Sequence, residues 1–279
     1  FVCDPSTDGT EEKLDLLCKS DPERFKALFT SRRFGQHKCI IAGMQYTVGD
    51  AIIVMDVDGQ DPIEVLPEMV RTWEEGYDVV YGKRLKRKKI NFINKMTSKF
   101  GLFIISKLSY LDIPTGVGEF RIMDRKVVNE ICKLNESSPF LRGMVAYVGF
   151  KQTSVEFIRP ERYGGDGKYG KFIGSFNFGL NGLTSFSNKL LNFTVVLGIL
   201  ISFAAFLMGF AYMYFKINGI LNFPIGNPTV VISILFMGGL QLFSIGILGI
   251  YIGKVHDQVS GRPNYIIKKH SGNIEILEN

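Results

Sequence analysis

Two aspartates one residue apart, Asp56 and Asp58, lie in the stretch Asp56-Val57-Asp58-Gly59-Gln60-Asp61-Pro62, directly behind the β-branched run Ala51-Ile52-Ile53-Val54-Met55. Carboxylates at this spacing on a turn can both reach one hard divalent cation, which prefers oxygen ligands. A cation held there would screen a diphosphate and stabilise it as a leaving group by Lewis-acid action. Acidic loop residues are more often simply solvated. The placement, behind a buried strand and ahead of a helix, gives this pair its weight, because ligands of α/β sheets bind beyond the carboxyl ends of the strands.

Other groups could gather around that point. Asp4 and Asp8 occupy a second strand-end turn, Asp4 to Gly9, although a turn with Pro5, Ser6 and Gly9 needs no function to form. Gly118-Glu119-Phe120-Arg121 places a carboxylate and a guanidinium in one short segment; taken alone, such a pair is more often structural than catalytic. The basic run Lys83 to Lys89 is by default a solvated face, yet beside a membrane it could hold a lipid phosphate through charge-assisted hydrogen bonds. The Gly-rich stretch Arg162 to Tyr169 reads equally as a lid, an acceptor loop or a linker.

The elements that must position these groups alternate. Helical spacing covers Thr10 to Cys18 and Lys38 to Val48, Ala51 to Met55 reads as a buried parallel strand, Pro62 to Glu75 as a helix and Asp78 to Tyr81 as a strand. That order predicts an α/β domain with a mainly parallel sheet. The chain opens on Phe1-Val2-Cys3-Asp4, which reads as the end of a strand, so the expectation is that a preceding strand and helix are missing.

Composition changes sharply after Lys189. From Leu190 to Gly253 only Lys216 carries a charge. Residues 190–215 and 229–252 each form an uncharged apolar run long enough to cross a hydrocarbon core of about 30 Å. Gly219, Pro224, Gly226 and Pro228 between them predict a hairpin. Lys168, Lys171 and Lys189 precede the first run, and Lys254, Arg262, Lys268 and Lys269 follow the second, which places both ends on the cytoplasmic side. Gln241 in the second span suits a helix–helix contact rather than a transport site, and a homo-oligomer through the membrane hairpin is compatible with the sequence. Phe92 to Leu111 and Lys171 to Lys189 carry Phe-rich, Lys-flanked faces that suit either the core or the headgroup layer.

The net charge of +6 therefore belongs to the soluble part and the tail, where it suits an anionic membrane surface or phosphate-bearing substrates rather than nucleic acid. Cys3, Cys18, Cys39 and Cys132 are far apart and read as reduced thiols of a cytosol-facing domain. A processive polysaccharide synthase is disfavoured, since the single tryptophan, Trp73, is not in a QxxRW acceptor motif. The alternative from another class is a non-catalytic membrane scaffold or a sugar-lipid binding protein.

Taken in order, the motifs resemble the family 2 glycosyltransferases of GT-A fold that act on polyisoprenyl phosphates. The resemblance runs through Arg33-Phe34-Gly35-Gln36 with Ala42-Gly43, Gly49-Asp50-Ala51 with Met55 to Gln60, Gly118 to Arg121 with Met123-Asp124-Arg125, and Gly149-Phe150-Lys151-Gln152. It continues through the Arg162 to Tyr169 loop and Leu183-Thr184-Ser185-Phe186-Ser187, and ends at Arg262-Pro263-Asn264-Tyr265. Each motif is weak, but the ordered set is strong. The sequence departs from the family in lacking its first strand, in reading Cys3-Asp4-Pro5-Ser6 at the usual Asp-Asp-Gly-Ser turn, and in carrying Glu119 where Asp is usual.

The resemblance implies a catalytic domain over residues 1–170, an interfacial segment over 171–189, two transmembrane helices within 190–253 and a cytoplasmic tail over 254–279. It implies an inverting transfer of a sugar from a UDP- or GDP-linked donor to a polyisoprenyl phosphate, at the cytoplasmic face of a bacterial plasma membrane. Asp56 and Asp58, with Gln60, would hold Mg²⁺ or Mn²⁺ and the donor diphosphate, and Asp4 would lie near the nucleoside. Asp58, Glu119 and Arg121 would form the reacting centre, while Arg84, Arg87, Lys88 and Lys168 would meet the acceptor phosphate.

Overall fold

The computed structural model describes residues 1–85, 114, 116–160, 189–218 and 227–274. The chain divides into two units, one of Phe1–Ser185 with Gly261–Asn279 and one of Phe186–Ser260. The predicted stretch Phe92 to Leu111, residues 171–188, the Arg162 to Tyr169 loop and residues 219–226 lie outside the described residues.

In the first unit, β1 (Val2–Cys3) pairs parallel with β2 (Ala27–Thr30), placing Val2 opposite Leu28 and Cys3 opposite Phe29. Helix α1 (Thr10–Ser20) covers them, and Cys3, Cys18, Ala27 and Phe29 form their shared core with Leu14 and Phe25 packed against it. All four cysteines are free. The other edge of β2 is taken by β7 (Ile267–Ser271), antiparallel, which comes from beyond the second apolar run.

The second sheet of this unit has the order β3-β5-β4-β6, with β3 at Ala51–Val54, β4 at Val79–Arg84, β5 at Val117–Asp124 and β6 at Gln152–Phe157. The α/β class holds. The sheets are nonetheless mixed rather than mainly parallel, because β5 inserts between β3 and β4 antiparallel to both, and only β1/β2 and β4/β6 pair in parallel. Strand β5 is buried from Val117 to Met123, so it reads as a continuous rather than an alternating pattern.

Packing explains the remaining elements. A 3-10 turn (Ile63–Val65) leads into α3 (Leu66–Glu74), which has Pro67 in its first turn, where the missing N–H costs nothing. Met69 of α3 packs with Val80, Phe120, Ile122, Val155 and Phe157, and the Phe120 and Phe157 rings meet edge to face at 5.6 Å. Helix α4 (Arg125–Lys133) starts at Asp124, whose carboxylate accepts from Lys126 N at 3.0 Å and from Trp73 Nε1 at 3.1 Å. It buries Val127, Val128 and Ile131. Helix α5 (Leu141–Val148) follows, ending on Gly149 in the left-handed conformation. The predicted helix over Lys38 to Val48 is α2 (Gln36–Gln45), which begins two residues earlier.

The second unit holds α6 (Lys189–Ile217) and α7 (Asn227–Val259). Both are long and apolar enough to cross a membrane, over Leu191–Phe215 and Ser233–Val259, and almost none of their surface is buried within the protein. Core helices of a soluble domain would be mostly covered, so these fit contact with hydrocarbon.

Candidate active site

The site forms where β1, β2 and β3 end and α2 begins. Asp4, just past β1, turns its carboxylate inward: it accepts from Thr30 Oγ1 at 2.7 Å, Gly35 N at 3.0 Å, Phe34 N at 3.2 Å and Cys39 Sγ at 3.2 Å. Burial pushes this carboxyl up, but the hydrogen bonds, Thr30's first, outweigh it and hold Asp4 below the usual range. One carboxylate thus ties β1, β2 and the N-terminus of α2 together, where an anion is favoured. Asp8 instead accepts from Ser6 Oγ and Thr10 N at the start of α1, a local capping arrangement.

Gln36, at the start of α2, donates its side-chain amide to Asp56 Oδ1 at 2.7 Å. The backbone N–H of Asp56 donates to Asp61 Oδ2 at 3.0 Å, and Gln60 N donates to Asp58 Oδ1 at 3.1 Å, so the loop after β3 is folded by its own carboxylates. Gly59 supplies the positive φ of 74° that this reversal needs. Burial raises the Asp56 carboxyl first, and the charges of Asp61, Asp58 and Glu119 push it further.

Among the described residues, no three His, Cys, Asp or Glu side chains gather as a metal-ligand group. The donor set expected from the sequence, Asp56, Asp58 and Gln60, shares the loop after β3. It fits a hard divalent cation on two observations: Asp56 sits in negative surroundings, and Asp61 keeps a buried Oδ1 without a hydrogen-bond partner.

Glu119, on β5, is 5 % exposed. Its Oε2 accepts from Arg121 Nη2 at 2.8 Å and its Oε1 from Arg142 Nε at 2.9 Å, with His37 Nε2 at 3.6 Å. Burial opposes the charge, but Arg121, then His37 and Arg142, hold the carboxyl down at about 2. Arg121 is completely buried, tethered also to Gly118 O at 2.8 Å and lying over the Tyr81 ring. It stands behind Glu119, away from solvent.

Arg84 ends β4 with its guanidinium packed on Gly118. Burial lowers its pKa, followed by the charges of Arg159 and Arg142, while Asp61 and Asp56 act in the other direction. The structure therefore brings Asp4, Asp56, Asp58, Gln60, Glu119, Arg121 and Arg84 onto adjoining strand ends. Arg87, Lys88 and Lys168 lie outside the described residues. His37, Arg142 and Arg159 complete the charge pattern, and their spacing in sequence gives no sign of it. Gln36 stood within a quoted motif, but nothing in that motif tied it to Asp56.

Comparison with known proteins settles the class. The model of "Glycosyl transferase family 2" matches residues 1–132. The chain is 42 % identical over 272 residues to "Uncharacterized glycosyltransferase YkcC" of Bacillus subtilis (strain 168), covering 98 % of this chain and 83 % of that protein. It is 39 % identical over 274 residues to "Bactoprenol glucosyl transferase" of Shigella phage SfII, covering 98 % and 88 %. A third relative, "Prophage bactoprenol glucosyl transferase homolog" of Escherichia coli (strain K12), is 38 % identical over 269 residues, covering 96 % and 87 %. The chain belongs to the family 2 glycosyltransferases. It is an enzyme of that class, with two candidate membrane helices joined to the catalytic fold.

Proposed function

We propose that the protein transfers a sugar from a nucleotide-sugar to a polyisoprenyl phosphate at the cytoplasmic face of a membrane, with inversion at the anomeric carbon. The observation that carries this reading is the meeting of two poles in one site: Asp61, beside Asp56, keeps a buried Oδ1 with no hydrogen-bond partner among the described residues, and Arg84 and Arg159 each keep a buried Nε–H with none. The similarity to bactoprenol glucosyl transferases extends across both apolar helices and supports a lipid acceptor.

The acceptor phosphate is ionised at neutral pH, since its second pKa lies near 6. It attacks without a strong base, and catalysis rests on positioning and on stabilising the departing diphosphate. Glu119 fits that scheme: both of its oxygens already accept from arginines, so it orients its surroundings and takes no proton. Arg121 acts through Glu119. Asp56 and Asp58, with Gln60, are the residues that would hold Mg²⁺ or Mn²⁺, which supplies Lewis-acid stabilisation of the leaving group. Asp4 shapes the turn that receives the nucleoside.

Orientation follows from connectivity. The first unit contains residues on both sides of the helical pair in sequence. With both helices crossing the bilayer, the two crossings cancel and the whole catalytic unit lies on one side. The lysines and arginines flanking the helices favour the cytoplasm.

The test uses membranes containing the protein, an undecaprenyl or dolichyl phosphate, Mn²⁺ and a panel of radiolabelled UDP- and GDP-sugars, with label counted in the organic phase. Label from one donor, lost with EDTA and in Asp58→Ala, is the expected outcome. Full transfer by Asp58→Ala would remove the metal-binding role, and no transfer from any donor would remove the reaction.

A further inference from the structure

Strands β4 and β6 run parallel, with Arg84 opposite Phe157 and Leu85 N donating to Phe157 O at 2.9 Å. Arg84 closes the first strand and Arg159 follows the second by two residues, so both leave neighbouring strands at the same carboxyl edge. Each keeps a buried Nε–H with no hydrogen-bond partner among the described residues. Leaving a buried donor unmet is costly, more so when the group is charged. Holding two guanidinium groups together adds repulsion. Of the charges acting on Arg84, the repulsion from Arg159 comes ahead of the attraction of Asp61. An arrangement this unfavourable in isolation is resolved by an anion with several acceptor oxygens, and a phosphate takes two guanidinium groups at once.

The surroundings indicate which phosphate. Leu85 and Ile158, the residues next to the two arginines, are 45 % and 72 % exposed, so the cationic pair is bordered by an apolar lip. Gly118 makes room beneath: a Cβ there would stand 2.5 Å from Arg84 Nη2. A free inorganic phosphate gains nothing from an apolar lip, whereas a phosphate attached to a hydrocarbon chain does.

We propose that Arg159 joins Arg84 to grip the phosphate of the isoprenyl acceptor, with Leu85 and Ile158 receiving the first units of its chain. This deepens the function proposed above and rests on its lipid acceptor. Arg159 was not among the residues expected to meet that phosphate, and the dipeptide Ile158-Arg159 becomes a combined lipid and phosphate contact.

Direct binding tests this without requiring turnover. The full chain in detergent is titrated with farnesyl phosphate, farnesol and inorganic phosphate, and separately with UDP and GDP in Mn²⁺. Arg159→Gln should weaken farnesyl phosphate at least tenfold, leave nucleotide affinity within twofold, and reduce the preference for farnesyl phosphate over farnesol. Arg159→Lys should fall between, since it keeps the charge and loses the fork. Gly118→Ala, which displaces the Arg84 side chain and leaves Arg159 intact, should give a similar selective loss and decides the matter if Arg159→Gln does not fold. Wild-type farnesyl phosphate affinity in both variants would overturn the proposal. So would a loss confined to UDP or GDP, which would assign the pair to the donor, or inorganic phosphate binding as tightly as farnesyl phosphate. A protein that binds farnesyl phosphate through Arg159 yet transfers no sugar would refute the reaction while leaving this site standing.

Discussion

The side-chain amide of Gln36 donates to Asp56 Oδ1 at 2.7 Å, joining the first residue of α2 to the loop that follows β3. It is the named contact that works against burial and against Asp61, Asp58 and Glu119, all of which push the Asp56 carboxyl up. Gln36→Ala removes it, so Asp56 should hold its proton to higher pH. The acidic limb of the pH–rate profile should move upward. The Mn²⁺ concentration for half-maximal transfer should rise about fivefold, the equivalent of one hydrogen bond of ~1 kcal/mol. An unchanged acidic limb would show that Gln36 does not set this carboxylate.

Glu119 offers a stability test. Its folded carboxyl is depressed to about 2 from an ordinary 4.5, so the stabilisation is complete above about pH 5 and is lost as pH falls towards 2. A shift of that size corresponds to roughly 3 kcal/mol. Glu119→Gln should melt lower at neutral pH, because Arg121 is left buried without a counter-charge, and its melting temperature should fall less steeply between pH 5 and pH 3. Parallel curves for the two proteins would remove Glu119 as the acid-sensitive group.

Asp4 accepts two backbone N–H groups at the head of α2. Asp4→Asn is nearly isosteric but turns one oxygen into a donor facing donors. A loss of about 1–3 kcal/mol of stability is expected, together with a raised KM for the nucleotide-sugar and a smaller change in kcat. A variant of wild-type stability with only kcat reduced would mean that Asp4 touches the reaction rather than shaping the turn.

At the far end of the chain, Gly272 has φ +86°, and a Cβ there would collide with the carbonyl oxygen of Phe25. Gly272→Ala should therefore destabilise the first unit by about 1–3 kcal/mol, even though it lies beyond both apolar helices. Chemical denaturation in detergent checks this, and an unaltered midpoint would mean that the C-terminal segment is not held against β2.

The sequence made the parts with strong local patterns legible. Ala51 to Val54, the helix after Pro62, the strand at Val79 and both long apolar helices stand where composition and pattern placed them, although β3, expected as a buried parallel strand, pairs antiparallel and buries only Ile52. Strand β2 was missed because its four residues are all buried, so they show no alternation. Strand β7 was missed for the opposite reason. Ile-Lys-Lys-His-Ser looks like a solvated tail, and it becomes a strand only through tertiary partners: Lys269 lies over the Phe29 ring and pairs with Asp15 at 2.9 Å, while Tyr265 OH meets Gln45 Oε1. The antiparallel insertion of β5 was hidden likewise, since strand direction is set by partners that no local window contains. In the site, carboxylates adjacent in sequence were readable as a pair. Arg142 and Arg159 were not, because only the ends of different elements bring them beside Arg84.

Strand β7 is the last of the described strands to be made. Its pairing edge on β2 is present once Thr30 has emerged, yet the partner arrives only after both apolar helices have been translated. Until then the nascent chain presents an open strand edge, the kind of surface that recruits other chains. Synthesis of the two apolar helices and completion of the β1-β2-β7 sheet are thus successive stages of one assembly. A ribosome stalled before Ile267 would leave both apolar helices made and the edge of β2 still unsealed.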